Sequence, residues 1–554
     1  MMSCRRSAAD TEKSQTQRID VGAYRPLSPV RSSATCPRMS SDEKAPGPDE
    51  IAQATAVLER LVSDRGQLLR LPEAQRVALV SAAGKLAMPE RDVEQRFAKN
   101  ERRKRAIEKR RQLRETDRAT RAQTEIRTLR NEAVFSAPLL PTGQPKREPR
   151  TLETPRHCYV CKAEYRLLHH FYDTMCVDCG DFNYAKRFQK AALDGKVALI
   201  TGSRVKIGFQ ASLMLLRSGA RVIATTRFPN DSAERYAREP DFAQWSHRLH
   251  IHGLDLRHAP SVELFARYLD ATWPRLDILI NNAAQTVRRP PGFYSHLLAS
   301  EQRPLEAMPK VLQPLLEGHA ACVNSLTQRE LQAGVTTADS LTASWRSEDP
   351  AVGIRASAAL SLLPYSHEHE GDVAALYPQG RLDADLQQVD LRSVNSWRLT
   401  LHEVQTAEML EVHLVNAVAP FILCARLKNL MTRQRDSMGH VVNVSAMEGS
   451  FSRGTKTDKH PHTNMAKAAL NMLTLTSAPD FAKSRIAMNA VDTGWVTDED
   501  PAQHAERKQS ELDFQPPLDI VDGAARVVDP VFVGENTGEF VYGKFFKDYK
   551  VTAW

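Results

Sequence analysis

Apolar and polar positions change their rhythm several times along the chain, and each change marks a boundary. Up to residue 45 the positions are polar and aperiodic, as expected for a disordered N-terminus. From Pro46 a helical period begins: Ile51, Ala54, Val57, Leu58 and Leu61 share one face, and Asp49 is placed to cap it. A second helix fits LPEAQRVALVSAAGKLA. A third, long and charged, covers 99–130 with only Ile107, Leu113, Ile126 and Leu129 as sizeable apolar residues. The Pro-rich run SAPLLPTGQPKREP closes this helical region, 46–150, before a short cysteine-bearing module at 151–190.

From residue 191 to 554 the text alternates strand and helix. KVALIT reads as a buried strand, KIGFQASLMLLRSGA as a helix and RVIATT as the next strand; LHIHGLDL and LDILINNAAQT follow at similar intervals. Strand, glycine-containing turn, helix and strand in that order predict an α/β fold of the Rossmann type, a doubly wound parallel sheet with a dinucleotide site at its first turn.

Composition narrows the class. With 554 residues the chain holds several units, and 42% hydrophobic and 26% charged residues suit a soluble protein. No apolar run approaches the ~18 residues of a membrane span and no signal peptide is evident, so a cytoplasmic protein is expected, with organelle targeting left open. The net charge of +8 is local: 99–130 carries thirteen basic and five acidic residues, an excess equal to that of the whole chain. Such a helix could follow a phosphate backbone, but Glu101, Glu108, Glu115 and Glu125 also pair with neighbouring bases on a solvated surface, and that reading is preferred.

Four of the eight cysteines form two close pairs, Cys158 with Cys161 and Cys176 with Cys179, separated by fourteen residues. Two C-x2-C knuckles supply four thiolates to a tetrahedral zinc site, and four ligands leave no open position for catalysis. Structural zinc is expected; a redox dithiol is the alternative. His157, His169 and His170 are substitute ligands on spacing alone. Cys4, Cys36, Cys322 and Cys424 stand apart.

The motifs from 191 onward resemble those of the short-chain dehydrogenase/reductase family. TGSRVKIG (Thr201 to Gly208) resembles its TGxxxGxG turn, NNAA (Asn281 to Ala284) its NNAG, HLVNAVAPF its catalytic asparagine segment, HVVNVSAMEG its serine strand, NMAKAAL its lysine helix and RIAMNAVDTGWVT the segment after it. The resemblance implies that Thr201, Gly202, Arg204, Lys206, Ile207, Gly208, Asn282 and Ala283 bind the cofactor, Gly202 and Gly208 at its pyrophosphate, that Asp255 holds the adenine ring, and that Lys467, Gly494 and Thr497 flank the nicotinamide. Asn416 and Lys467 fall on the family's catalytic positions. At the end of the second strand, Thr225, Thr226 and Arg227 replace the acid of an NAD enzyme; Arg227 favours NADP, with NAD retained as an alternative.

Four departures stand out. Lys206 replaces the family's middle glycine. The tyrosine position, four residues before Lys467, is Thr463, an aliphatic hydroxyl far less acidic than a phenol of pKa ~10. The serine position aligns on Ala446 with Ser445 one residue early, a step that turns a strand side chain to the other face. His460, seven residues before the lysine, or His462 could serve as an acid near neutral pH. An insertion of about 287–395 leaves the sheet where ligands bind and carries Trp345, Tyr365, His367 and Arg392 as further sources of an acid.

The expected function is therefore NADP-dependent carbonyl/alcohol interconversion with an atypical site acting on an unassigned small molecule. The alternative is a catalytically impaired NADP(H)-binding regulator or scaffold. Family resemblance also implies a homo-oligomer through the helices of 403–430 and 462–478.

Overall fold

The computed structural model describes residues 46–88, 91–138, 150–329, 349–364, 373–433 and 437–554. The expectations for residues 1–45 and for Trp345, Tyr365 and His367 lie outside them. The chain divides into two compact units, Met1–Arg103 and Lys104–Trp554.

In the first unit, helices span Pro48–Ser63 and Glu73–Ala87 with a short 3-10 turn, Arg65–Arg70, between them. The cap of the first helix is Gly47, whose N–H donates to the Glu50 carboxylate at 2.8 Å; Asp49 lies inside the first turn, so the expected cap moves two residues upstream. The apolar stripe is present, yet neither helix contains a buried residue, and Ile51, Val57 and Val80 are more than two-fifths exposed.

The charged segment does not remain one helix. It runs as Arg91–Ala122 and restarts as Glu125–Leu129, a turn carrying the fully buried Ile126. Around the break three arginines, Arg121, Arg127 and Arg130, face inward, while Arg118 stays exposed. Arg121 and Arg127 share the Asp513 carboxylate at 2.7 and 2.8 Å, Arg127 also pairs with Asp173 at 2.6 Å, and Arg130 donates to Leu518 O at 2.8 Å. Part of the basic excess thus fastens the second unit together and is withdrawn from any phosphate surface.

In the cysteine module β1 (Thr151–His157) and β2 (Glu164–Leu167) pair antiparallel, and the helix Val177–Lys186 starts directly after Cys176. Buried polar links join this module to the C-terminal helix Ile520–Thr537: Arg187 bridges Asp519 and Asp522 at 2.7 and 2.9 Å, Tyr172 Oη donates to Asp522 at 2.5 Å, and Arg526 donates to Asn183 at 2.7 Å. Removing one partner of such a desolvated set leaves a buried charge uncompensated, which typically costs ~3–5 kcal/mol. The module is built into the second unit.

The main sheet contains β3 (Val197–Thr201), β4 (Arg221–Thr226), β5 (Leu249–Gly253), β6 (Ile278–Asn281), β7 (Gly439–Ser445), β8 (Ile486–Asp492), β9 (Phe545–Lys547) and β10 (Lys550–Thr552). Their order is β10-β9-β8-β7-β6-β3-β4-β5, parallel except for β10. Every residue of β3, β6, β7 and β8 is buried, as a sheet covered on both faces requires. The order reverses between β3 and β6, so a crevice opens at the carboxyl ends of these strands, where open α/β sheets bind ligands. This is the Rossmann-type architecture expected from the alternating pattern.

The insertion does more than overhang the crevice. Its helix Gln313–Arg329 lies against the edge strand β5, where His319 Nδ1 accepts the Gly253 N–H at 3.3 Å, so an otherwise open sheet edge is covered. Among the described residues one continuous helical stretch, Thr406–Thr432, is long and apolar enough to cross a membrane, with mean hydropathy 1.5, contrary to the expectation that no run comes close. Half of its apolar window is buried inside the protein, because Val412, Ala419, Ile422, Leu423 and Leu427 form core.

Candidate functional site

The crevice is a cleft of about 1350 Å³, above the ~300–1,000 Å³ of ordinary small-molecule pockets. Its end beside β3, where the phosphates are expected, is built from backbone tied by two short side chains. Thr201 closes β3, and its Oγ1 accepts the Asn282 and Ala283 N–H groups at 3.1 and 3.0 Å; Asn282 Nδ2 returns bonds to Thr201 O and Gly202 O at 2.9 and 3.1 Å. Gly202 adopts φ +66°, and a Cβ on Gly208 would lie 2.2 Å from Gly202 O, so only glycine fits there. The helix Lys206–Arg217 then presents its N-terminal N–H groups to the cleft, the arrangement that receives phosphate. Ile207 supports the turn from beneath, packed against Gly523.

Lys206 holds φ +55°, a left-handed conformation that costs a residue with a Cβ ~1–2 kcal/mol. Burial acts to lower its pKa, but Glu499, Asp385 and Asp383 outweigh that and keep the ammonium charged. Arg204, also expected near the phosphates, pairs with Asp231 at 2.6 Å and lies over the Phe228 ring.

At the adenine end Asp255 is fully buried and clamped by Arg257, whose guanidinium reaches it at 2.6 Å. Burial works to raise its pKa and Arg257 reverses the effect. Arg227 lies on the Tyr294 ring and donates to Tyr294 Oη at 2.9 Å and to Ser361 Oγ at 2.8 Å; Arg257 donates to the same Ser361 Oγ at 3.1 Å. Two guanidinium groups converge on one buried hydroxyl; Arg257 is also paired with Asp255 and Glu411, so Arg227 supplies the positive charge of this corner. Arg227 was identified from sequence. Arg257, Tyr294 and Ser361 were missed, the last two because they belong to the insertion.

At the chemical end Lys467 lines the cleft, with its Nζ 2.8 Å from Val444 O. Burial depresses its pKa to about 8, against the opposing pull of Glu448 and Asp492. Asn416 lies on a single π-helical turn, Leu414–Val418, a distortion that recurs at functional sites. Its amide exchanges two hydrogen bonds with the Gln285 backbone, at 2.7 and 3.0 Å, and so fixes the chain leaving β6.

The hydroxyl candidates fare differently. Ser445 closes β7 and donates to Asn471 Oδ1 at 2.5 Å, on the side where Asn443 meets Thr474; Ala446 follows it at the cleft wall. Thr463 is buried in the first turn of the helix Pro461–Ala482 and is not among the residues lining the cleft. The helical stripe that does face the cleft is His460, Asn464 and Lys467. His460 stacks on Trp397 at 3.9 Å with the rings 7° apart, and burial lowers its pKa. His462 turns away towards Glu408, with a pKa lowered to about 4 by burial and then by His460 and His413. Arg392 is occupied by Asp390 at 2.7 Å.

Two groups with no sequence signal complete this end. Asp492, the last residue of β8, lines the cleft with its pKa raised by burial to about 6. Tyr159 enters from the cysteine module, its hydroxyl accepting the Trp495 N–H at 3.1 Å beside Gly494. Thr497 lies further along that loop and donates to Glu499 at 2.7 Å.

The four sulfurs of Cys158, Cys161, Cys176 and Cys179 lie within 4.8 Å of one another. A tetrahedral zinc with ~2.3 Å bonds sets sulfurs about 3.8 Å apart, and Cys161 and Cys176 stand at 3.7 Å. The histidines are employed elsewhere: His169 Nδ1 accepts the Phe171 and Tyr172 N–H groups, while His157 and His170 face Lys162 O and Glu125.

Comparison with known proteins gives two family matches in chain order, "short chain dehydrogenase" over residues 196–308 and "Enoyl-(Acyl carrier protein) reductase" over 392–518. They bracket most of the insertion. An uncharacterized protein of Acanthamoeba polyphaga mimivirus is 30% identical over 412 residues, 71% of this chain and 74% of that one. Human retinol dehydrogenase 13 is 34% identical over 94 residues, 17% of this chain and 28% of the relative. Among solved structures, an NADP active-site complex from Pseudomonas aeruginosa has 16% identity and a TM-score of 0.37, covering 64% of this chain and 95% of its own. NADPH-bound carbonyl reductase from chicken fatty liver has 16% identity and a TM-score of 0.38, covering 65% and 100%.

Proposed function

Because the chain belongs to the short-chain dehydrogenase/reductase family, an oxidoreductase family, we propose that it binds NADP(H) and interconverts a carbonyl and an alcohol, with a proton-transfer group other than the family tyrosine. The observation that carries this is the backbone cradle at Gly202 and Gly208 opening into the same cleft as Lys467. A dinucleotide fits that cradle: the N–H groups at the start of the helix Lys206–Arg217 take the pyrophosphate, and Arg227 takes the 2′-phosphate on exchanging its bond to Ser361.

When bound, the nicotinamide supplies or accepts hydride at a carbon of the substrate. The Lys467 ammonium orients the nicotinamide ribose, and Asn416 keeps the neighbouring backbone open through Gln285. A ring nitrogen of His460 holds the exchangeable proton, since this side chain shares a cleft-facing stripe with Lys467. Burial lowers its pKa and leaves it a neutral base for alcohol oxidation near neutral pH, so carbonyl reduction should slow as pH rises through the range below the ordinary imidazole value. The four cysteines hold structural zinc, their donor set and spacing being those of a closed tetrahedral site.

A second reading is a dinucleotide-binding regulator without turnover. It is favoured by Thr463 lying away from the cleft and by Ser445 being occupied with Asn471. Titration with NADPH and NADH, followed by cofactor fluorescence and then a carbonyl and alcohol panel, separates the two. Binding with turnover supports the enzyme, binding without turnover the regulator, and no binding overturns both. We also propose self-association through the face that leaves Phe421, Met465 and Met472 more than half exposed, which sedimentation would detect as a dimer or larger species.

A further inference from the structure

The cysteine module reaches the cleft through one residue. Tyr159 lies inside the first knuckle, between Cys158 and Cys161, and its backbone is held by the bond from its own N–H to Thr174 O at 2.8 Å and by Lys162 Nζ, which donates to its carbonyl while lying over its ring. From that anchor the ring extends to the loop after β8. Its hydroxyl accepts the Trp495 N–H at 3.1 Å and lies 3.2 Å from where a Cβ on Gly494 would stand. Gly494 has φ +75°, and the loop from Thr493 to Asp500 forms one wall of the cleft opposite Lys206.

Within the knuckle Cys158 N–H also donates to Ala163 O at 2.8 Å and Lys162 N–H to Cys158 O at 3.1 Å, with Lys162 at φ +64°. A metal would replace the protons of these four thiols, whose sulfurs lie within 4.8 Å of one another, by bonds that join the two knuckles. A metal there would therefore tighten the knuckle that aims Tyr159.

We propose that Tyr159 is a positioning residue that couples metal occupancy of the four-cysteine site to the binding cleft: metal closes the knuckle, the knuckle aims Tyr159, and Tyr159 fixes the Gly494–Thr497 turn. The inference rests on the zinc and dinucleotide readings above and adds a coupling between them. Coupling between two binding sites is reciprocal, so the factor by which zinc strengthens dinucleotide binding must equal the factor by which the dinucleotide strengthens zinc binding.

The test uses the full chain, as wild type and as Tyr159→Phe, each with zinc content measured. Zinc-loaded wild type should bind NADPH about tenfold more tightly than protein stripped by a chelator, within the ~5–150-fold span of such couplings. Saturating NADPH should slow zinc loss by the same factor. Tyr159→Phe should keep its zinc, bind NADPH about as weakly as the stripped wild type, and lose the reciprocity. Amide hydrogen exchange at Trp495, which needs no dinucleotide, should be slow in zinc-loaded wild type and fast in Tyr159→Phe.

Equal exchange at Trp495 in the two zinc-loaded proteins, or equal NADPH affinity in both, overturns the proposal. If NADPH binds no form, the dinucleotide reading fails and Trp495 exchange alone decides whether Tyr159 positions the turn. If the wild type holds no zinc, the metal reading and the coupling fail together. Should stripping unfold the chain, the two zinc-loaded proteins still give the comparison.

Discussion

The two ends of the cleft were assembled by different means. At the phosphate end the essential features are main-chain positions and the absence of a Cβ at Gly202 and Gly208, tied together by the short side chains of Thr201 and Asn282. At the chemical end the essential atoms are side chains brought from four places, Lys467 and His460 from one helix, Asp492 from β8, Trp397 from the return of the insertion and Tyr159 from the cysteine module. A main-chain site requires glycine at fixed spacing and tolerates little else, whereas a side-chain site can be refilled from any segment that reaches it.

The largest effect should come from breaking the main-chain end. Gly208→Val places methyl groups where Gly202 O already stands at 2.2 Å from the Cβ position. Dinucleotide binding should vanish by isothermal titration, and stability should fall by about 3 kcal/mol or more in denaturant melts. Retained binding would mean that the turn can move, and the contrast between the two ends would collapse.

Next is Lys467→Met. Turnover should drop ~10²–10⁴-fold, the range for a lost proton-transfer or orienting group, while NADPH affinity changes far less. Stability should move the other way. The folded pKa of Lys467 is depressed to about 8 from 10.5, so burying its ammonium costs stability below pH 8, and the cost disappears as pH rises to 10.5. At 1.36 kcal/mol per pKa unit the variant should gain about 3 kcal/mol at pH 7 and progressively less towards pH 10.5. A variant destabilised at pH 7 would show that the amine is held by more than Val444 O.

Arg227→Ala addresses the adenine end. Losing one charge-assisted contact of ~1.5–3 kcal/mol should weaken NADPH about 10–100-fold and leave NADH unchanged. Equal losses for both would assign Arg227 to holding the insertion through Ser361 and Tyr294. The smallest effect is expected for Lys206→Gly. Relief of a left-handed residue should stabilise by about 1 kcal/mol, partly offset by losing the lysine from the Glu499, Asp383 and Asp385 cluster.

Legibility followed the same division. The strand β3 and the turn after it were readable because local spacing carries them; Asn282 and Lys467, named through the family resemblance, line the cleft. Asp255 was readable as a position, but its Arg257 clamp was not, although only two residues away, because nothing in DLR says whether the arginine folds back. Thr463 was named for its alignment and Ser445 as the neighbour of the aligned Ala446; helical phase keeps Thr463 off the cleft wall, whereas Ser445 lines the cleft with its hydroxyl engaged by Asn471. The apolar stripe at Ile51 and Val57 was read correctly as a helix face and still buries nothing, since periodicity tells which residues face together and not what they face.

By itself, then, the sequence determined what depends on neighbours along the chain: the α/β alternation, the glycine cradle, the two cysteine knuckles and the lysine helix. Only the tertiary structure decided which side chains meet in the cleft, because Tyr159 and Trp495 are 336 residues apart in sequence, and Arg227 and Ser361 are 134 apart. Helix and strand periods act over one or two turns, and contacts across such separations are set by how the layers pack on the sheet.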